Sequence, residues 1–301
     1  MDRLEAMTVL LAAVDAGSLS AASRQLHMPL ATVSRRVSEL EAHLHVRLVL
    51  RGGRKLVLTD AGRDYVASCR QILDDIEQVE RTAAGEYRAP QGELIISAPV
   101  VIGRNHVVPV LVAFLRSAPQ IRAHIQLNDQ VSHLLEDHVD LAVRLGALPD
   151  STLVATRIAL LDRVLCASPA YLQARGVPQT PDDLAAHDCI TYVGYSAADM
   201  WEFGEGQASR VVKVSSRLSV NSAEAAVIAA TEDGGIVRVL ADQVDHLLKA
   251  GTLVRLLQDY EPAPMPLSLV YPGQRQMPLK LRAFIDFATP RLRERFGYQH
   301  P

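Results

Sequence analysis

Residues 31 to 36, ATVSRR, set two hydroxyls, Thr32 and Ser34, beside two guanidinium groups, Arg35 and Arg36. An arginine fork takes a guanine edge or a phosphate in a bidentate grip, and a hydroxyl serves either base or backbone. The chemistry on offer is nucleic-acid recognition. Further along, Arg51, Arg54 and Lys55 surround Gly52 and Gly53 and add three cations suited to a phosphate backbone. The chain as a whole carries a net charge of -3, yet residues 20–62 hold an excess of +4, which leaves -7 for the remainder. A small basic end on an acidic body suits a protein in which one module meets phosphates and the rest does something else.

Other chemistry finds little support in the residue pattern. The sequence has no nucleophile elbow, glycine-rich nucleotide loop, HExxH or paired-carboxylate motif, so no enzymatic activity and no cofactor are expected. His106, His124, His133 and His138 are scattered, and the three cysteines, Cys69, Cys166 and Cys189, form no CxxC pair. Neither a zinc site nor a disulfide framework is indicated, and the thiols read as packing groups. A switch disulfide between Cys166 and Cys189 is the alternative to that reading. With 49% hydrophobic and 22% charged residues the 301-residue chain reads as globular. Its longest apolar runs, such as residues 107–115, fall short of the roughly 20 residues of a membrane span, and MDRLEAM is no signal peptide. A cytoplasmic protein without a membrane partner is expected.

The elements that must position the basic residues are legible from periodicity. Apolar residues at helical spacing over 4–16 stop at Gly17, Ser18 or Ser20 can cap a second helix at AASRQL, and Pro29 opens a third that runs to about His43. Leu30, Val33, Val37, Leu40 and Leu44 mark the inner face of that third helix, which turns Thr32, Arg35 and Arg36 outward. Two short β-rich runs, 48–50 and 56–58, flank the glycine pair as a hairpin with the three cations at its tip. Helix, helix, turn, helix and basic hairpin is the winged helix-turn-helix plan. Thr59 with Asp60 opens a long helix to about Tyr87, some 40 Å at about 1.5 Å per residue. Its Tyr65, Cys69, Ile72, Ile76, Val79 and Ala83 form a heptad seam that wants a partner helix. From Gly92 strands and helices alternate, which predicts an α/β body with a largely parallel sheet. Strands are expected at 93–99, 124–129, 140–146, 189–195, 217–223, 252–257 and 267–272, with helices at 105–116, 222–232 and 278–295. Its size suggests two lobes with crossovers near Asp162 and Pro266.

The series AGSLSAASRQLHM, TVSRRVSELEAHL and RLVLRGGRKLVLTDAG, in that order and spacing, resembles the LysR-type transcriptional regulators, and the likeness runs over essentially the whole chain. In the body, DLAVRLGALPDSTLVA, CASPAYL, PDDLAAHDCI and LKLRAFIDF resemble one large subgroup of the family's effector domains. The resemblance implies a winged helix-turn-helix over 1–62, a dimerisation linker helix over 63–90 and a two-lobed, periplasmic-binding-protein-like regulatory domain over 91–301. Lobe I would comprise 91–162 and 267–301, and lobe II 163–266. Thr32, Ser34, Arg35, Arg36, Arg51, Arg54 and Lys55 would then touch an inverted-repeat promoter. A small effector, anionic if Arg144 is its partner, would lie between the lobes against Ser97, Val100, Val143, Arg144 and Asn221. The family likeness also implies a homodimer or homotetramer and admits RNA polymerase as a partner.

Two departures stand out. Where the family commonly begins its recognition helix Ser-Gln-Pro-Ala, this chain has Pro29, Leu30, Ala31 and Thr32, and where it carries a Gly and a Phe after the helix, this chain has His45 and Val49. A solute-binding protein, suggested by the body alone, fails on the basic N-terminal module for which it has no use.

Overall fold

In the computed structural model of the chain, the described residues are 2–50, 56–83, 89–129, 139–148, 153–192, 199–204, 206, 209–273 and 277–298. Contacts divide it into two compact units, Met1–Ala89 and Pro90–Pro301.

In the first unit, α1 (Arg3–Asp15) begins at Asp2, whose carboxylate accepts from the amides of Leu4 and Glu5. Helix α2 (Leu19–Gln25) begins at Ser18, whose hydroxyl accepts from the Ala21 amide. These are the side-chain oxygens that a helix start needs. Helix α3 (Leu30–Leu44) instead follows Pro29, which offers no side-chain acceptor, and it ends at His45 in the left-handed region with φ 54. Its Val33, Val37 and Leu40 pack with Ala6, Val9, Leu10 and Ala13 of α1 and Ala22 of α2 in one buried cluster. Leu30, expected on that inner face, is instead 46% exposed, because the cluster reaches Val33 but not the first turn.

Strands β1 (Val49–Leu50) and β2 (Val57–Leu58) pair antiparallel, Val49 opposite Leu58. The tip with Arg51, Arg54 and Lys55 lies outside the described residues. Buried Glu41 of α3 ties this hairpin to its helix, since its Oε1 accepts from the amides of Leu48 at 2.8 Å and Val49 at 3.0 Å. Helix α4 (Asp60–Ala83) follows. The start of its seam is used at home: Cys69 is fully buried and Tyr65 packs on the same cluster as α1 and α3. Ile72 is the first seam residue left 42% exposed, and the side chains of Val79 and Ala83 lie outside the described residues.

The second unit runs β3 (Gly92–Ala98), α5 (Val100–Ile102), a π-helical turn (Gly103–Val107), α6 (Val108–Ser117), β4 (Ile121–Leu127), β5 (Leu141–Leu145), β6 (Leu153–Leu161) and β7 (Arg163–Ala167). It continues through α7 (Pro169–Arg175), β8 (Cys189–Tyr192), β9 (Met200–Phe203), β10 (Arg210–Lys213), β11 (Ser216–Val220), α8 (Ala223–Thr231) and β12 (Ile236–Leu240). It closes with α9 (Ala241–Lys249), β13 (Val254–Leu256), β14 (Met265–Pro272) and α10 (Leu279–Arg295). Among the described residues two five-stranded sheets result, in the orders β4-β3-β5-β14-β6 and β11-β8-β12-β7-β13, with β9 and β10 as a separate hairpin.

Each five-stranded sheet is mixed rather than largely parallel. Two pairings are parallel and two antiparallel, because one strand in each, β14 and β7, runs against the other four. Asp162 alone separates β6, in the first sheet, from β7, in the second, and the Ala241 amide donates to its carbonyl at 2.9 Å. The return crossing lies between β13 and β14, upstream of Pro266, which is itself paired with Leu160.

Among the described residues one helical run, Val100–Ser117, is long and apolar enough by length and composition to cross a membrane, with mean hydropathy 1.3 over 18 residues. Here it is a core helix. Val101, Ile102, Val107, Val110, Leu111 and Phe114 are buried, and Phe114 meets Phe284 of α10 edge-on at 5.2 Å. Gly103 allows the run to lie close on the first sheet, since a Cβ there would come 2.4 Å from Leu127 Cδ2.

Candidate nucleic-acid interface and effector cleft

The outward residues of α3 divide by partner. Arg35 is 59% exposed at its side chain and reaches forward one turn to Glu39 at 3.0 Å, an exposed i,i+4 pair of the kind worth about 0.3–0.5 kcal/mol. Such a pair releases its guanidinium to a phosphate at little cost. Arg36 is held differently. Its Nη2 sits 2.6 Å from Glu5 of α1, its Nη1 is 3.7 Å from Glu39, and only 21% of the side chain is exposed. It therefore pins α3 to α1 as much as it faces outward. Thr32 and Ser34 are half-buried on either flank, and Leu30 and Ala31 stand exposed at the helix start.

The five cleft residues expected in the body do not converge as one set. On β3, Leu94, Ile96 and Ala98 point into the main core, so Ser97, buried at 2% exposure, lies on the opposite face. On β5 the core takes Leu141 and Val143, which puts Arg144 on the same face as Ser97. Val143 is thus a core side chain at 1% exposure and offers a ligand no side-chain contact. The Val100 amide, at the start of α5, gives its hydrogen to Asp129 Oδ1 at 2.9 Å. Asn221 is exposed, and the cap of α8 is its neighbour Ser222, whose hydroxyl accepts from Ala225.

Other residues build an open cleft of about 360 Å³ that periodicity gave no reason to single out. Arg104 and Asn105 from the π-helical turn face Glu224 and Thr231 of α8 and Asp242, Gln243 and His246 of α9. An Arg104–Glu224 contact of 2.5 Å bridges the two helical regions, and His106 Nε2 lies 3.5 Å from Asp242 while its ring stacks 4.2 Å from Phe296. A π turn inside a helix is rare and often marks a functional site, and this one turns three consecutive polar side chains toward the second sheet's helices. A second cationic spot lies on the second sheet, where Arg163 opens β7 beside Arg238 of β12 and 3.5 Å from Glu202. Burial, and then the like charge of Arg163, push the Arg238 guanidinium down to about 10, with its plane 5.3 Å from the Trp201 ring.

Cys166 and Cys189 are not placed to form the switch disulfide. Cys166 opposes Val237 and Cys189 opposes Ile236, so β12 lies between them and sets them about 10 Å apart, beyond the roughly 7 Å Cα limit of a disulfide. They also point into different clusters on opposite faces of the sheet, and burial pushes both thiols up to about 12.

A winged helix-turn-helix that presents an arginine from its third helix, followed by an α/β unit of two mixed sheets, defines a DNA-binding regulator with a ligand-binding body. Residues 4–63 match the bacterial regulatory helix-turn-helix protein, lysR family, and residues 88–293 match the LysR substrate binding domain. The chain belongs to the LysR family of transcriptional regulators. It is 33% identical to an HTH-type transcriptional repressor of Pseudomonas aeruginosa (strain UCBPP-PA14), over 95% of this chain and 91% of that one. It is 31% identical to the HTH-type transcriptional activator AaeR of Escherichia coli K12, over 96% and 94%. Among solved structures it resembles CrgA, a LysR-type transcriptional regulator from Neisseria meningitidis, at 30% identity, with a TM-score of 0.60 and coverage of 96% and 98%.

Proposed function

We propose that this regulator binds an inverted repeat as a homodimer or homotetramer, with α3 in the major groove and the hairpin on the flanking backbone. Thr32, Ser34 and Arg35 meet bases or nearby phosphates, Arg36 fixes the angle of α3 through Glu5, and Arg51, Arg54 and Lys55 grip phosphate. The observation that carries this reading is the exposed Arg35 guanidinium on a helix followed directly by a β hairpin. Alanine at Arg35 or at Arg54 should weaken binding of a selected duplex. Each lost phosphate contact lowers the slope of log affinity against log salt by about 0.9, or about 1.8 for a dimer. Unchanged affinity and slope in both variants would overturn the assignment.

The body takes a small effector and biases DNA binding by preferring one arrangement of the assembly. An anionic effector is favoured by Arg144, with Ser97 on the same face of the first sheet. Calorimetric titration with small carboxylates tests this, and an Arg144→Ala chain that binds the same acid equally well would remove Arg144 from the site. The protein acts in the cytoplasm without catalysing a reaction, with RNA polymerase as its partner at the promoter. A repressor and an activator at similar identity both lie among its relatives, so the sign of regulation follows from where the operator lies relative to the promoter.

A further inference from the structure

We infer that the first turn of α3 reads thymine methyl groups through Leu30 and Ala31, which makes Leu30 a specificity-determining residue. The inference rests on the reading of α3 as the groove-entering helix and goes beyond it by naming what its leading residues select. Leu30 shares a stripe with Val33 and Val37 at steps of three and seven, yet those two are 0% and 3% exposed while Leu30 is 46% exposed. The stripe outruns the domain core, so the leucine is left as apolar surface at the end of the helix that leads into the groove. Pro29 and Ala31 beside it are exposed as well, and no side chain accepts from the first-turn amides. For residues 29–31 the reading head therefore has no hydrogen-bonding side chain, and Thr32 is the first.

The N-terminal residues of a recognition helix are the ones that meet base edges. In the major groove every base presents hydrogen-bonding atoms, O4 in the case of thymine, but thymine alone adds a methyl group. An apolar side chain pressed on the other three strips water from polar atoms and returns nothing. Against thymine it buries apolar surface on both sides. Leu30 thus selects by attraction at one base and by an unmet hydrogen-bonding demand at the others.

The test uses the full-length protein and duplexes selected by it from a random pool. Each thymine is replaced in turn by deoxyuridine, which removes the methyl and leaves base pairing intact, and affinity is read by gel shift. Burial of one methyl predicts about a 3–5-fold loss at one position of each half-site and about 10–25-fold when both are replaced. Leu30→Ala should shrink that difference and Leu30→Gln should abolish it, because the cycle between side chain and methyl then loses its coupling. Circular dichroism checks that both exposed-site variants fold. Should no deoxyuridine position matter while Arg35→Ala still weakens binding, the groove reading stands and the methyl inference is overturned. Should no duplex be enriched at all, the groove reading itself falls, and this inference with it.

Discussion

Glu41 offers a sharp test of how the recognition helix and the wing are joined. Its side chain is 6% exposed, and a single carboxylate oxygen receives both the Leu48 and the Val49 amides. Replacing it with alanine strands two backbone donors, each costing about 1–3 kcal/mol when buried. With some water admitted to the vacated space, a net loss of about 2–4 kcal/mol is expected. Glu41→Gln keeps a carbonyl oxygen in the same place and loses the charge assistance and the 3.8 Å approach of Arg47, so its cost should be about 1 kcal/mol. The chain supplies its own control. Trp201 is its only tryptophan, lies in the second unit and is 2% exposed. In urea titrations of the full-length protein, far-ultraviolet circular dichroism should show an early loss of helix in Glu41→Ala while the Trp201 fluorescence transition stays in place. A Glu41→Ala chain within about 0.5 kcal/mol of the parent, the range of an ordinary surface change, would refute the reasoning, as would a glutamine variant damaged as badly as the alanine.

Further outcomes follow from the same structure. Phe284→Ala, at a fully buried ring set edge-on to Phe114, should cost about 3–5 kcal/mol, read from the urea dependence of Trp201 fluorescence. With their thiols pushed up to about 12, Cys166 and Cys189 should alkylate about a thousandfold more slowly than free cysteine at neutral pH until the chain is unfolded. Mass mapping after mild oxidation should find no bond between them. Burial lowers the His187 imidazole from its ordinary 6.5, with Tyr171 Oη 3.2 Å from Nδ1. The stability this contributes is present above 6.5 and lost as pH falls through the lowered value. A His187→Gln chain should therefore lose less stability than the parent in denaturant titrations taken through that acid window.

The N-terminal unit was largely legible because its signals are local. Ser18 capping, the 3.6-residue stripe of α3 and the glycine pair between two β runs each act within a few residues, and the elements appear where those signals put them. Leu30 shows what helical spacing leaves open. Periodicity tells which side of a helix faces inward but not where along its axis the neighbouring helices stop. In the body, the seven expected strands have counterparts, while β6, β7, β9, β10 and β12 went unmarked, as did α7 and α9. Strand direction is likewise set by long-range pairing, which is why β14 and β7 turn out reversed. The candidate cleft was the least legible part. Val143 looks like any apolar strand residue until alternation against Leu141 assigns it to the core, and the Asp129 carboxylate that engages the Val100 amide is 29 residues away in sequence. The π turn that presents Arg104 and Asn105 leaves no mark in hydrophobic spacing at all.

The single residue between β6 and β7 sets a mechanical rule for the body. Successive Cα atoms are about 3.8 Å apart, so Leu161 and Arg163 stay within about 7.6 Å of one another however the two sheets are disposed. The amide of Ala241 holds the same point from the second sheet's side. One sheet cannot slide past the other there. A change in their relation therefore pivots near Asp162, within the reach left by the second crossing between β13 and β14. Displacement then grows with distance from the pivot: a molecule lodged beside it has little leverage, and one seated at the far edge commands the whole swing.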